Sequence, residues 1–445
     1  MSGHQRRRRA LVLILLLLAI SVPHLTSAAQ RGDGRPDIVV VMVDDLGAID
    51  ERVLERLPNI RELWLEGGLR FDAAYSETPL CCPGRASFLT GQHTRNHGVV
   101  RNRAVLLDPS QTIATALHDA GYWTIMAGKY LNHADRLVDK TPDGWDRVAM
   151  LRTWLGNMRS NWWLQGRQHQ AGYNDRFLLN RSLRWLERAP TDKPVFMYLL
   201  PRAPHFLNST ASGRVAGYLS PWRADVEPRY MDDSRCDDIE PWRPPNYRYA
   251  KQPNGFPLGD ICRSLLTVDE MVGSLRAEMT RQGRNPLWMF TSDNGMAWGA
   301  NGFPLKNVPE AGRLPLYFAG RGVSGGSTDA LVSNIDFGPT LASVAGTSMP
   351  AADGVTFRRL LRGGRGGRSW MLEDHPVGGR TGRGHSGSWW AVRTPQWHLI
   401  DFWGEQRLHD LRADPWEQVN VAGTNPETVQ RLRFLRNTIV DTKEP

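Results

Sequence analysis

The run Ile38-Val-Val-Val-Met-Val43 constrains this chain more than any other feature. Six apolar residues in a row leave no polar face for water, so a strand built from them must be covered on both sides. Two carboxylates, Asp44 and Asp45, close it. Short apolar runs of the same kind recur at residues 194–200, 286–290 and 314–318, with helical periodicity between them at 112–121, 174–189 and 260–283. For the first of these helices Ser110 is the expected N-cap and Gly121 the stop. Strands alternating with helices predict an α/β sheet with helices on both faces. Chemistry in such sheets gathers at the carboxyl ends of the strands, which draws attention to Asp44-Asp45 and to Thr291-Ser-Asp-Asn-Gly295.

The formal charge of +9 suggests a polyanion partner until it is divided along the chain. Arg6 to Arg9 precede an apolar run over 10–22 and small residues at 26–29. A basic segment, a short apolar core and a small-residue end describe a secretory signal over residues 1–29, too short for stable membrane insertion. The four arginines leave with it, and 51 basic residues then face 46 acidic ones. Nucleic acid is therefore not an expected partner; a secreted or periplasmic product is expected. Past residue 347 the texture changes. Residues 357–384 are rich in Arg and Gly and read as a solvated loop; short antiparallel strand patterns follow between 389 and 410, then a closing helix over 426–441. The expected organisation is a catalytic domain over 30–347 and a small C-terminal α+β subdomain over 348–445.

Of the four cysteines, Cys236 and Cys262 lie 26 residues apart and fit either a disulfide or two buried thiols. Cys81 and Cys82 are adjacent, and neighbours rarely bridge. Their context is Cys81-Cys-Pro-Gly-Arg-Ala-Ser-Phe-Leu-Thr-Gly91. This segment resembles the signature of the type I, formylglycine-dependent sulfatases, in which the first cysteine is oxidised after translation to Cα-formylglycine. Gly84 stands where many members have Ser or Ala, outside the Cys, Pro and Arg core. The resemblance implies an alkaline-phosphatase-like fold with a mixed β-sheet, and a formylglycine-generating enzyme as a partner during maturation. The chemistry explains the residue: a hydrated aldehyde offers one hydroxyl to attack sulfur and a second to release the sulfate.

The resemblance also assigns a hard divalent cation with oxygen ligands. Asp-Asp-Leu-Gly and Ser-Asp-Asn-Gly are each ordinary turn chemistry. Together with the cysteine signature, Asp44, Asp45, Asp293 and Asn294, with Cys81, match the family's metal site, suited to Ca2+ first and Mg2+ second. Arg85 resembles the residue that holds the formylglycine side chain, and Lys129 and Lys306 the two lysines that contact sulfate. His205, in Arg202-Ala-Pro-His205, resembles the histidine that serves the leaving oxygen. Many arylsulfatases have a second histidine where this chain has Leu131; Asn132 and His133 are the candidates to replace it. Gly128-Lys-Tyr-Leu-Asn132 and the Cys-Cys-Pro triplet resemble the N-acetylglucosamine-6-sulfatase and heparan 6-O-endosulfatase branch.

The expected function is hydrolysis of sulfate esters on a small molecule or a glycosaminoglycan-like polysaccharide. Two alternatives stand beside it. One is a phosphonate or phosphate ester hydrolase of the same superfamily. The other is a secreted polysaccharide-binding protein without turnover, resting on Arg358, Arg359, Arg362, Arg365, Arg368, Arg380 and Arg383. Arginine supplies 49 of the 55 basic residues, and its planar fork suits sulfate oxygens. Trp162-Trp163 and Trp389-Trp390 are candidates to stack on sugar faces.

Overall fold

The computed structural model describes residues 34–48, 51–137, 141–154, 159–205, 225–380 and 386–440; the leader over 1–29 and Arg383 lie outside them. In chain order the first strands are β1 (Ile38–Val43), β2 (Leu69–Phe71), β3 (Ala74–Tyr75), β4 (Trp123–Gly128), β5 (Arg147–Trp154), β6 (Ser160–Leu164), β7 (Arg167–Ala171), β8 (Val195–Leu200), β9 (Leu287–Ser292), β10 (Leu316–Gly320), β11 (Gly326–Thr328) and β12 (Val332–Ser333). Ten of them form one mixed sheet in the order β11-β2-β10-β9-β1-β8-β4-β5-β6-β7. The expected strands at 194–200, 286–290 and 314–318 are β8, β9 and β10.

Continuous hydrophobicity in β1 reflects two apolar clusters rather than one. Val39, Val41 and Val43 join Val195, Met197 and Leu199 of β8 on one face, under the helices Asn174–Leu186 and Gly259–Arg281. Ile38, Val40 and Met42 join Phe196, Tyr198 and Leu200 on the other, under Cys81–Thr90, Ile113–Asp119 and Phe337–Val344. Each such side chain contributes roughly 1.5–3 kcal/mol on burial, so β1 anchors both layers at once.

Helix Ile113–Asp119 is capped by Thr112, not by Ser110: Thr112 and Thr115 exchange hydroxyl and backbone bonds in a capping box. Ser110 belongs to a preceding 3-10 turn whose own cap is Asp108. Gly121, with φ +85°, ends the segment as expected.

At the C-terminal end β13 (Met371–Arg380), β14 (Ser386–Arg393), β15 (Trp397–Phe402) and β16 (Glu405–Asp410) form an antiparallel sheet in that order. Helix Pro426–Val440 seats Leu432 on Val392, Leu399 and Leu408. Strand β13 falls inside the stretch read as a solvated loop. Its Glu373-Asp374 pair looks like loop chemistry, but each carboxylate has a distant partner: Arg393 at 2.6 Å for Glu373, Arg95 at 2.8 Å for Asp374. Arg359, Arg362 and Arg365 are exposed as expected, whereas Arg368 clamps Asp336 at 2.7 and 2.5 Å. The tryptophan pairs are not sugar platforms. Trp162, Trp163 and Trp389 are buried, and Arg436 covers the ring of Trp390 at 4.8 Å.

Cys236 and Cys262 form a disulfide, tying the turn Ser234–Cys236 to the long helix Gly259–Arg281; Cys81 and Cys82 are free. Among the described residues no helix is long and apolar enough to cross a membrane. Closing a loop of 26 residues removes on the order of 3 kcal/mol of freedom from the unfolded chain. Paired Cys236→Ala and Cys262→Ala substitution is expected to lower the urea midpoint, and a midpoint equal to that of the parent would contradict this.

Candidate active site

Strands β1 and β9 run parallel with Val43 opposite Ser292, so Asp44-Asp45 leave the sheet beside Asp293-Asn294. Consecutive strand residues point to opposite faces; the left-handed backbone at Asp45, φ +67°, lets both carboxylates reach one site. Short polar residues tolerate that conformation best. Asp293 Oδ1 accepts from the backbone N–H of Asp45 at 3.1 Å and of Asn294 at 2.9 Å, and Asn294 Nδ2 donates to Asp45 Oδ1 at 2.9 Å. The Asp44 N–H bonds the Ala203 carbonyl at 3.1 Å, just beyond β8.

Cys81 opens a ten-residue helix that is buried along its whole length. Leu80 gives no side-chain cap, and Asn102 Oδ1 instead takes the Cys82 N–H at 2.9 Å. Pro83 costs little in a first turn whose N–H groups lack helical partners. Gly91, with φ +67°, terminates the helix. A Cβ at Gly84 would run into the Asp293 carbonyl, so this departure from the family pattern allows the helix to press against the β9 loop. One turn on from Cys81, fully buried Arg85 donates from Nε to Asp293 Oδ2 at 2.9 Å, lies 3.7 Å from Asp44 Oδ1, and bonds the Lys129 carbonyl. These contacts hold its guanidinium above the usual range against the opposing effect of burial.

Lys129 follows β4, where the backbone at Gly128 passes too close to Leu200 to admit a side chain. Its ammonium is 2.5 Å from Asp44 Oδ2 and 3.5 Å from Cys81 Sγ. Lys306 enters from a loop, reaching Cys81 Sγ at 2.9 Å, Asn294 Oδ1 at 3.4 Å and Asp45 Oδ1. Burial opposes both charges, but Asp44 for Lys129 and Asp45 for Lys306 raise them above the ordinary lysine value. Burial likewise works against the Asp45 carboxylate, and Lys306, His205 and Lys129 together pull it below its ordinary value. Burial pushes the Cys81 thiol up to about 11 despite the two lysines, so as a thiol it is protonated at neutral pH.

His205 lies 3.5 Å from Asp45 Oδ2 through Nε2 and 3.1 Å from Arg202 Nη2 through Nδ1. A guanidinium can only donate, so the network assigns Nδ1 as acceptor and the ring proton to Nε2, facing the carboxylates. Burial holds the ring well below its ordinary pKa, in the neutral form. Asp225 neutralises Arg202 at 2.6 Å, and Asp175 accepts the Arg202 and Ala203 N–H groups at 2.8 and 2.9 Å. Asp175 and Asp225 are not evident from the sequence as supports of His205. Arg202 is adjacent enough to His205 to have been noticed, but Asp175 sits on a helix 27 residues away.

All nine expected site residues thus converge. The two candidates to replace the absent histidine do not join them: Asn132 bonds Cys82 Sγ at 3.0 Å through its N–H, and His133 is exposed. Asp44, Asp45, Cys81 and Asp293 are buried with ligand atoms within 4.8 Å of one another, a group able to hold a metal ion. Removing Arg85 leaves two buried carboxylates facing each other. Arg85→Met is expected to cost about 3–5 kcal/mol of stability in chelator-treated protein; an unchanged denaturation midpoint would refute the balance described.

Residues 36–347 match the family model described as Sulfatase, and residues 309–444 the one described as N-sulphoglucosamine sulphohydrolase, C-terminal. N-acetylglucosamine-6-sulfatase of Capra hircus is 29% identical over 377 residues, which are 76% of this chain and 65% of that protein. The Homo sapiens protein of the same name is 27% identical over 475 residues, 91% of this chain and 84% of that one. A solved structure described as a complex with its substrate D-glucosamine-2-N,6-O-disulfate superposes with a TM-score of 0.72 at 21% identity, covering 92% of this chain and 99% of that chain. That likeness carries the fold, the alkaline-phosphatase-like mixed sheet with a small antiparallel sheet beyond it. The chain belongs to the sulfatase family of sulfuric ester hydrolases.

Proposed function

We propose that this chain is an exported sulfatase that removes sulfate from glucosamine-containing glycans, using residue 81 as Cα-formylglycine and a divalent cation held by Asp44, Asp45, Asp293 and Asn294. The observation that carries this reading is the convergence of Cys81 with three buried carboxylates and with Arg85, Lys129 and Lys306. Glucosamine as the sugar is supported by the names of the relatives and by the Gly128-Lys-Tyr-Leu-Asn132 segment. Export is supported by the leader sequence and the Cys236–Cys262 disulfide.

The cation fits the residues present. Asp45 Oδ2 is buried without a hydrogen-bond partner, an acceptor that a metal would satisfy. Three carboxylates face three cationic side chains, so the site is balanced before substrate enters. Bringing a sulfate anion out of water into a balanced pocket costs several kcal/mol. Bound among these oxygens, a divalent cation supplies the missing positive charge and polarises the sulfate; the donor set suits Ca2+, with Mg2+ second.

Formylglycine at residue 81 would supply, as its hydrate, a hydroxyl nucleophile toward sulfur. The chain's own residues do the rest. Lys129 and Lys306 flank residue 81 and are placed to hold sulfate oxygens. Arg85 fixes the helix that carries residue 81 against Asp293. His205 presents its Nε2 proton to the site and is placed to hydrogen-bond the leaving sugar oxygen. Direct attack by a Cys81 thiolate is disfavoured, because the thiol keeps its proton.

The peptide containing residue 81, from protein made in its native host, is expected to be about 18 Da lighter than its sequence mass. Cys81→Ala is expected to lose at least about a thousandfold in kcat on N-acetylglucosamine 6-sulfate. Unmodified cysteine in an active preparation would sink the mechanism, and faster turnover of a phosphate diester would favour the phosphonate or phosphate hydrolase alternative. Adding Ca2+ to chelated protein is expected to raise the melting temperature, and Asp45→Asn to abolish that rise. A rise that survives the substitution would place the cation elsewhere.

A further inference from the structure

Near the reaction centre lies a cavity of about 470 Å3, within the usual range for small-molecule sites. No residue assigned to the reaction centre lines it. The same loops reach it: Ala48 follows Asp45, Met296 follows Asn294, and Glu310 follows Lys306. Its opposite wall comes from the residues around β14 and β16.

Of the three indoles that line this cavity Trp298 is buried; the other two, Trp242 from the main body and Trp416 from beyond β16, have centroids 6.4 Å apart and planes at 55°. Trp416 is 36% exposed and Trp242 half-buried. Both are rigidly presented. Trp242 exchanges backbone bonds with Phe256 at 2.8 and 2.9 Å, inside the segment closed by the Cys236–Cys262 disulfide. Trp416 precedes Glu417, whose carboxylate bonds His398 Nδ1 at 2.9 Å and Arg393 Nη1 at 3.4 Å. Arg313, Asp72 and Asp329 add polar groups to the lining.

A pyranose ring has an apolar C–H face, which the electron-rich face of an indole attracts, and hydroxyls that can donate to carboxylates and accept from a guanidinium. A lipid tail would not use the carboxylates, and a nucleic acid would need a continuous positive stripe. The charges also select the kind of sugar. Among the lining residues Arg313 and Arg393 stand against Asp72, Glu310, Asp329 and Glu417, so no positive surplus remains for a sulfate group.

We propose that this cavity is a second saccharide site, which holds sulfate-free sugar units of the glycan whose sulfate ester is cleaved at the reaction centre. The inference rests on the glycan reading above. The test compares Trp242→Ala, Trp416→Ala and the double variant on a heparan-derived hexasaccharide and on N-acetylglucosamine 6-sulfate. The double variant is expected to raise KM for the hexasaccharide about tenfold, with kcat and the monosaccharide KM kept. Equal effects on the two substrates, or none on either, would overturn the proposal. Trp416→Phe, which keeps an aromatic face, is expected to retain most of the hexasaccharide affinity; a loss as large as that of the Ala variant would count against stacking. Calorimetry of full-length Cys81→Ala protein with an unsulfated N-acetylheparosan hexasaccharide separates the cavity from catalysis. Saturable binding that disappears in the double tryptophan variant supports the site even if no sulfate ester is turned over, and absence of binding rejects it.

Discussion

The reaction centre depends on the parallel pairing of β1 with β9 and β8. With Val43 opposite Ser292, two acidic pairs leave the sheet side by side, and the Asp44 N–H is tied to the Ala203 carbonyl beyond β8. A slip of one residue would turn every side chain of β1 to the other face. That slip would exchange the valine set with Ile38, Val40 and Met42 between the two apolar layers and swing the carboxylates out of reach of Asp293. Register here is enforced by hydrophobic burial on both faces, so the packing that stabilises the sheet also aligns the two acidic pairs.

Placing this much charge in a buried site requires compensation from several directions. Arg85 stands between Asp44 and Asp293 from the helix below the sheet edge, Lys129 approaches from β4, and Lys306 comes in on a loop. That loop is in turn held by the C-terminal sheet: Trp389 Nε1 donates to the Asn307 carbonyl at 2.9 Å, and the Asn307 N–H bonds the Pro79 carbonyl at 3.1 Å. The small sheet therefore acts on catalytic geometry as well as on the cavity beside it. It positions Lys306 next to the helix that carries residue 81.

Much of this architecture was legible in the chain. β1, β8 and β9 are buried on both faces, and burial on both faces writes unbroken apolar runs. The cysteine signature is one continuous segment, because a helix start must present residue 81 and Arg85 one turn apart. The acidic pairs are less plain: each taken singly is turn chemistry, and only coincidence with the signature marks them as candidate metal ligands. Strand β13 was hidden because Glu373 and Asp374 are buried through partners far away in sequence, and the tryptophan pairs misled because indole content says nothing about which face meets water. The cap at Thr112 escaped because a nearer serine served the same rule.

The sequence by itself determined the class of fold, the cysteine signature and the identities of the charged groups around it, since each is written in a short local segment. Only the tertiary structure decided how those groups are used. It turned the His205 proton inward through Arg202, paired Cys236 with Cys262, left Asn132 on the wrong cysteine, and set Trp242 beside Trp416. These outcomes join segments as much as 174 residues apart, and contact at such separation is fixed by packing and by the need to satisfy buried polar groups, which no local pattern records.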